Sequence, residues 1–99
     1  MADPIRVAIE GELSIFTASA VRDRLLDAFA AAGEVEADLS RVTEIDSAGL
    51  QLMLAAQKEA VVQGKRLHIA DSSRPVLDIF ELCGLAAVLS DSWREGGRE

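Results

Sequence analysis

Apolar and polar residues alternate from Ile5 to Glu10, with Ile5, Val7 and Ile9 on one side and Arg6, Ala8 and Glu10 on the other. A period of two predicts a half-buried strand, and Gly11-Glu12-Leu13 leads out of it. After Thr17, a predicted N-cap, the spacing lengthens to three and four: Val21, Leu25, Ala28 and Phe29 predict a helix that stops at Gly33. Val35-Glu36-Ala37-Asp38-Leu39 alternates again and predicts a second strand, followed by a loop over Ser40-Arg41-Val42-Thr43. The longest helical pattern runs from Ser47 to about Gln63 and ends at Gly64. Lys65 to Ala70 predicts a third strand. Ser73 is placed to cap a third helix, with Pro75 in the first turn, where a missing N–H does no harm. Its apolar stripe is Val76, Ile79, Phe80 and Cys83, and Gly84 stops it. Ala87-Val88-Leu89 predicts a short fourth strand. Strands alternating with helices argue for an α/β domain with parallel pairing and helices packed on the sheet.

The helix opening at Ser47 is the most informative element. Projected at 100° per residue, Leu50, Leu52, Met53, Leu54, Ala55, Ala56, Ala60, Val61 and Val62 cover most of its circumference, which predicts a largely buried helix. Gln51 and Lys58 share a narrow polar stripe, and Ser47 lies on it one turn before Gln51. Asp46 is a good N-cap. Ser47 then occupies a first turn whose free N–H groups and macrodipole favour negative charge. A phosphate there is tolerated by those donors and opposed by Asp46, two comparable terms. Gly49 leaves backbone uncovered for a close approach. Spacing alone favours a pair of capping residues without further duty, because Asp-Ser before an apolar helix is common.

Composition narrows the partner. The 99 residues suffice for a single domain spanning the whole chain, and 49% of them are apolar, enough for one core. Ten basic against seventeen acidic residues give a net charge of −7, which argues against nucleic acid and anionic lipid and leaves a basic protein partner compatible. A lone Cys83 fits a reducing compartment, and Met1-Ala2-Asp3-Pro4 has neither the basic start nor the apolar run of a signal peptide. The expected location is therefore the cytoplasm, without membrane insertion. The polar tail, Arg94 to Glu99, is expected to fray.

The run Asp38-Leu39-Ser40-Arg41-Val42-Thr43-Glu44-Ile45-Asp46-Ser47-Ala48-Gly49-Leu50 resembles the signature of STAS domains, the bacterial anti-sigma factor antagonist family. Gly11-Glu12-Leu13, Gly64-Lys65-Arg66-Leu67 and the stretch from Val76 to Leu85 are similar to other family segments, so the resemblance spans roughly residues 5 to 90. It implies a mixed sheet of about four strands with helices mainly on one side. It also implies that Ser47, directly after the motif's Asp46, is a phosphoacceptor. The partner implied is a serine kinase that doubles as an anti-sigma factor: the unmodified antagonist binds it, the phosphorylated form lets go, and a phosphatase resets the cycle. ATP and Mg²⁺ belong to that kinase, and this chain needs no cofactor and is not an enzyme. The pattern departs from the family at Ser14, where an acidic residue is frequent, and at Ala48, where a hydroxyl is frequent. The segment before Ile5 is short for an additional first strand. Related single-domain members accompany chemotaxis-type histidine kinase clusters or serve phospholipid-transporting ABC ATPases, which gives a second reading: a constitutive docking subunit without phosphorylation. On either reading the contact tip is Asp46, Ser47, Ala48, Gly49, Leu50 and Gln51, with Ser14 beside it.

Other candidate chemistry is weak. Asp71 follows a strand and precedes two serines, so turn or cap duty outweighs pairing with Asp46 for acid–base work. His68 has no ligand-spaced companion for a metal, and Cys83 reads as an inert core thiol. Trp93 is either a contact residue or a cover for the sheet edge, and Arg22, Arg24 and Lys58 read as solvated-face charges.

Overall fold

Three strands, β1 (Ile5–Leu13), β2 (Glu34–Ile45) and β3 (Arg66–Ser72), pair in parallel in the order β1-β2-β3. The structure is a computed structural model describing residues 3–89. Helices α1 (Ala18–Ala31) and α2 (Ser47–Val62) connect successive strands, and α3 (Arg74–Leu82) follows β3. Each strand is thus followed by a helix, and every pairing among the described residues is parallel.

The expected mixed, four-stranded sheet is corrected on both counts. Residues 86–89 are helical instead of forming a fourth strand. Leu85, Val88 and Leu89 pack against the core, a spacing of three and four that suits a helical turn and not a strand. Leu85 N–H donates to Phe80 O at 2.7 Å, and Val88 N–H donates to Leu85 O at 3.0 Å, closing that turn. The tail and Trp93 lie outside the described residues.

The predicted loop at Ser40–Thr43 is part of β2. Buried positions along this strand run Val35, Ala37, Leu39, then Val42, so the period of two breaks after Leu39. Register shifts between Ala8/Glu10 and between Gly11/Glu12 of β1 absorb the extra residues of β2. They return Val42, and then Ile45, to the face that carries Val7, Ile9 and Leu13. Asp38 accepts from Ser40 N–H at 2.9 Å beside the first shift. Its carboxyl is held below the ordinary range mainly by Ser40, with Arg6 contributing less. Gly11, at φ 79°, adopts the left-handed backbone that the second shift uses.

One face of the sheet carries the core. Strand residues Val35, Ala37, Leu39, Leu67 and Ile69 meet Leu25 and Phe29 of α1, Leu50, Met53, Ala56 and Ala60 of α2, and Val76 and Phe80 of α3 in one cluster. The opposite face is polar. There Arg6 ties the three strands together, reaching Glu36 and Asp38 at 3.1 Å and Asp71 at 3.2 Å. Asp71 therefore belongs to β3 and an ion cluster, not to a turn or cap. His68 pairs with Glu34 across β2–β3 at 2.8 Å. The helices therefore lie on one side, as expected.

Three further expectations change. Helix α2 buries one face only: Gly49, Leu50, Met53, Ala56 and Ala60 point inward, while Ala55, Val61 and Val62 are exposed. Cys83 is exposed, because α3 ends at Leu82 and the C-cap position turns away from the Val76–Phe80 stripe. Arg24 donates to Ala8 O at 2.8 Å and so braces α1 on β1, beyond the solvated role expected of it. No helix among the described residues is long and apolar enough to cross a membrane.

Because Phe80 is fully buried and Leu82 is exposed, truncation separates the two faces of α3. Phe80→Ala lowers stability by about 3–5 kcal/mol in urea unfolding, whereas Leu82→Ser stays within about 0.5 kcal/mol of the parent.

Candidate functional site

Parallel pairing places the loop from β1 into α1 next to the step from β2 into α2, both at the C-terminal edge of the sheet. Asp46 joins them. Its Oδ1 accepts from Gly49 N–H at 3.0 Å, capping α2, and its Oδ2 accepts from Ile15 N–H at 3.1 Å in the β1–α1 loop. Asp46 N–H donates to Leu13 O at 3.3 Å. The Gly49 and Ile15 donors hold the Asp46 carboxyl below the usual carboxylate range.

Gly49 sits against the end of β1. A Cβ there would lie 2.3 Å from Leu13 O and 2.9 Å from Leu13 Cγ. The close approach that this glycine permits is therefore internal, between α2 and β1, and not to a partner. Gly49 and Leu50 are both buried, which removes them from the accessible tip. Ser47 and Gln51 are exposed, and Ala48 is half-buried.

Ser14 also moves from contact residue to structural residue. It is 5% exposed, donates from Oγ to Glu12 Oε2 at 2.5 Å and accepts from Phe16 N–H at 3.1 Å. Ser14 N–H donates to Thr17 Oγ1 at 3.0 Å, and Thr17 Oγ1 donates to Glu12 O at 2.9 Å. Thr17 holds the N-cap position of α1, but its side chain turns back to the loop and makes no cap bond. These bonds fix the loop from within and turn Ile15 and Phe16 outward, with 68% and 86% of their surfaces exposed.

The electrostatics of a phosphate at Ser47 shift accordingly. Asp46 already occupies Gly49 N–H at the start of α2. A phosphoryl group on Ser47 would add close to two negative charges beside a carboxylate that already holds this donor, so repulsion from Asp46 opposes the helix-start attraction. The Ser47 hydroxyl itself makes no hydrogen bond among the described residues. Asp46 and Asp71 have separate partners, Gly49 and Ile15 for one and Arg6 for the other, so they do not form an acid–base pair.

A family model described as "Mlab, STAS domain" matches residues 2–90. The chain belongs to the STAS domain family. This STAS domain is 28% identical over 94 residues to an anti-sigma-B factor antagonist of Bacillus subtilis (strain 168), covering 94% of the chain and 86% of that protein. It superposes on the anti-sigma factor antagonist SpoIIAA in its unphosphorylated form with a TM-score of 0.68 at 23% identity, covering 88% of this chain and 79% of the other. It also superposes on a sulfate transporter family protein from Wolinella succinogenes, with a TM-score of 0.64 at 19% identity and coverage of 86% and 70%. These superpositions show the fold. The STAS motif, in turn, divides into parts: Asp38 and Ser40 form the first bulge, Asp46 and Gly49 lock α2 to β1, and Ser47 remains accessible.

The sequence reading passed over Ile15 and Phe16 and gave Thr17 a capping bond that its side chain does not make. Their signal was present as an apolar pair set between two hydroxyl residues, Ser14 and Thr17, three positions apart.

Two outcomes follow from the lock. Gly49→Ala forces α2 away from Leu13 O and lowers unfolding stability by about 1–3 kcal/mol, measurable in urea. The depressed Asp46 carboxyl contributes stability that is full above its unfolded value and lost as pH falls through the lower folded value. Asp46→Asn therefore lowers the thermal midpoint at neutral pH and flattens its decline between about pH 5 and pH 2.

Proposed function

We propose that this STAS domain is a non-enzymatic, phosphorylation-controlled interaction module of the anti-sigma factor antagonist type, acting in the cytoplasm. Ser47 is the phosphoacceptor, and the partner is a serine kinase that doubles as an anti-sigma factor and brings its own ATP and Mg²⁺. One observation carries this reading: Ser47 is exposed, with a hydroxyl that makes no hydrogen bond among the described residues, on a tip where Ser14, Asp46 and Gly49 are all engaged in holding the fold. A modification there changes what a partner meets while leaving the interior bonds intact. The similarity to an anti-sigma-B factor antagonist supports the assignment of class.

The accessible contact surface is Ser47, Gln51 and the exposed part of Ala48. Asp46 sets its position. In the unmodified state the partner closes tightly over the exposed Ser47 hydroxyl at the helix start; phosphorylation adds bulk and charge there that the fitted interface has no room for. The switch therefore acts at the interface and not by unfolding the domain.

Co-purification with wild type, Ser47→Ala and Ser47→Asp tests this. The Ala variant retains its partner, the Asp variant loses it, and incubation with the partner and ATP·Mg²⁺ adds the mass of one phosphoryl group to wild type but not to Ser47→Ala. Equal partner recovery with all three variants, with no added mass, would instead favour the constitutive docking subunit of a transport ATPase or a chemotaxis-type kinase cluster.

A further inference from the structure

We infer that Phe16, with Ile15, is the anchor through which this tip grips its protein partner, and that the partner offers an apolar cleft edged by lysine or arginine. The inference rests on the reading of the Ser47 tip as a docking surface, and it adds a second part to that surface which the phosphorylation motif does not contain.

Three observations lead to it. Ile15 and Phe16 are 68% and 86% exposed. Their loop is tied to the residue before Ser47, since Ile15 N–H is bonded to the carboxylate of Asp46 and Phe16 follows Ile15 in the chain. Their backbone is fixed: Phe16 N–H is held by Ser14 Oγ, and Ser14 N–H by Thr17 Oγ1. An exposed aromatic on a loop already held by its own hydrogen bonds loses little freedom on binding, which is the property of an anchor residue. The other strongly exposed apolar side chains lack this setting. Val61 and Val62 end α2 and Leu82 ends α3, each away from Ser47.

The charge around the anchor describes the partner. Glu12 and Glu44 face each other across β1 and β2, and both are exposed. Glu12 also accepts from Ser14, the residue that holds Phe16. Among the described residues no lysine, arginine or histidine forms a salt bridge with Glu12, Glu44 or Asp46, whereas the polar face of the sheet pairs its carboxylates with Arg6 and His68. Like charges opposite one another in a sheet destabilise it. A cationic rim on the partner relieves that repulsion and steers approach, while the cleft takes the ring.

The probe is the purified protein recovered with Ser47→Ala in the co-purification above. Phe16→Ser weakens its binding by about 30-fold or more, the loss expected of an anchor, while Phe16→Tyr restores it and Val62→Ser stays within about twofold of wild type. The thermal midpoint of Phe16→Ser, with its ring already in solvent, remains that of wild type. Added salt slows association of the wild type, and Glu44→Lys slows it at low salt. Binding of Phe16→Ser within about twofold of wild type overturns the anchor, and association indifferent to both salt and Glu44→Lys overturns the basic rim. The two readings separate cleanly. Loss of binding by Ser47→Asp with Phe16→Ser unaffected leaves the switch standing without the anchor; the reverse pattern leaves the anchor without the switch.

Discussion

A single carboxylate holds the working end of this domain together. Asp46 takes an N–H from the first turn of α2 on one oxygen and an N–H from the β1–α1 loop on the other. Its own N–H is spent on Leu13 O, the same oxygen that leaves no room for a side chain at position 49. The end of β1, the loop after it and the start of α2 therefore form one unit. Ser47 has its position because it follows Asp46 in the chain, and its hydroxyl makes no hydrogen bond among the described residues.

That arrangement leaves the proposed switch at Ser47 no need of moving parts. With a core formed on one face of a three-stranded sheet, a 99-residue chain has little stability to surrender to a conformational change. A charge added at Ser47 would fall on an exposed position beside the Asp46 carboxylate. The β1–α1 loop is held by side-chain bonds of Ser14 and Thr17 that do not involve the Ser47 hydroxyl. The proposed anchor and the proposed switch thus occupy neighbouring but separately supported groups.

The polar face of the sheet serves a different purpose. Arg6 spans all three strands through Glu36, Asp38 and Asp71, each of them partly open to solvent. Such exposed pairs contribute little net stability singly. Their value lies in register, since a one-residue slip would place those charges on the core face. Asp38 belongs to this cluster and to the bulge at once, which ties the polar face to the shift that brings Val42 back into the core.

Local patterning was enough to locate the helices, the three strands and the exposed hydroxyl at the start of α2. Periods of two and of three to four follow directly from where strands and helices point their side chains, and the motif around Asp46–Gly49 resembles one family along nearly the whole chain. What the pattern could not carry was decided by neighbours distant in sequence. The second half of β2 looked like a loop because two register shifts, defined only by pairing with β1, restore an alternation the sequence does not show. Leu85, Val88 and Leu89 became a helical turn because the core accepts them at that spacing. Gly49 and Ser14 looked available to a partner until Leu13 O and Glu12 were found to occupy them. Periodicity reports which side of an element faces inward, but not which backbone atom stands there. That is set by packing across the sheet edge, and here it decides that Ser47 and Phe16, not Gly49 and Ser14, are what the tip presents.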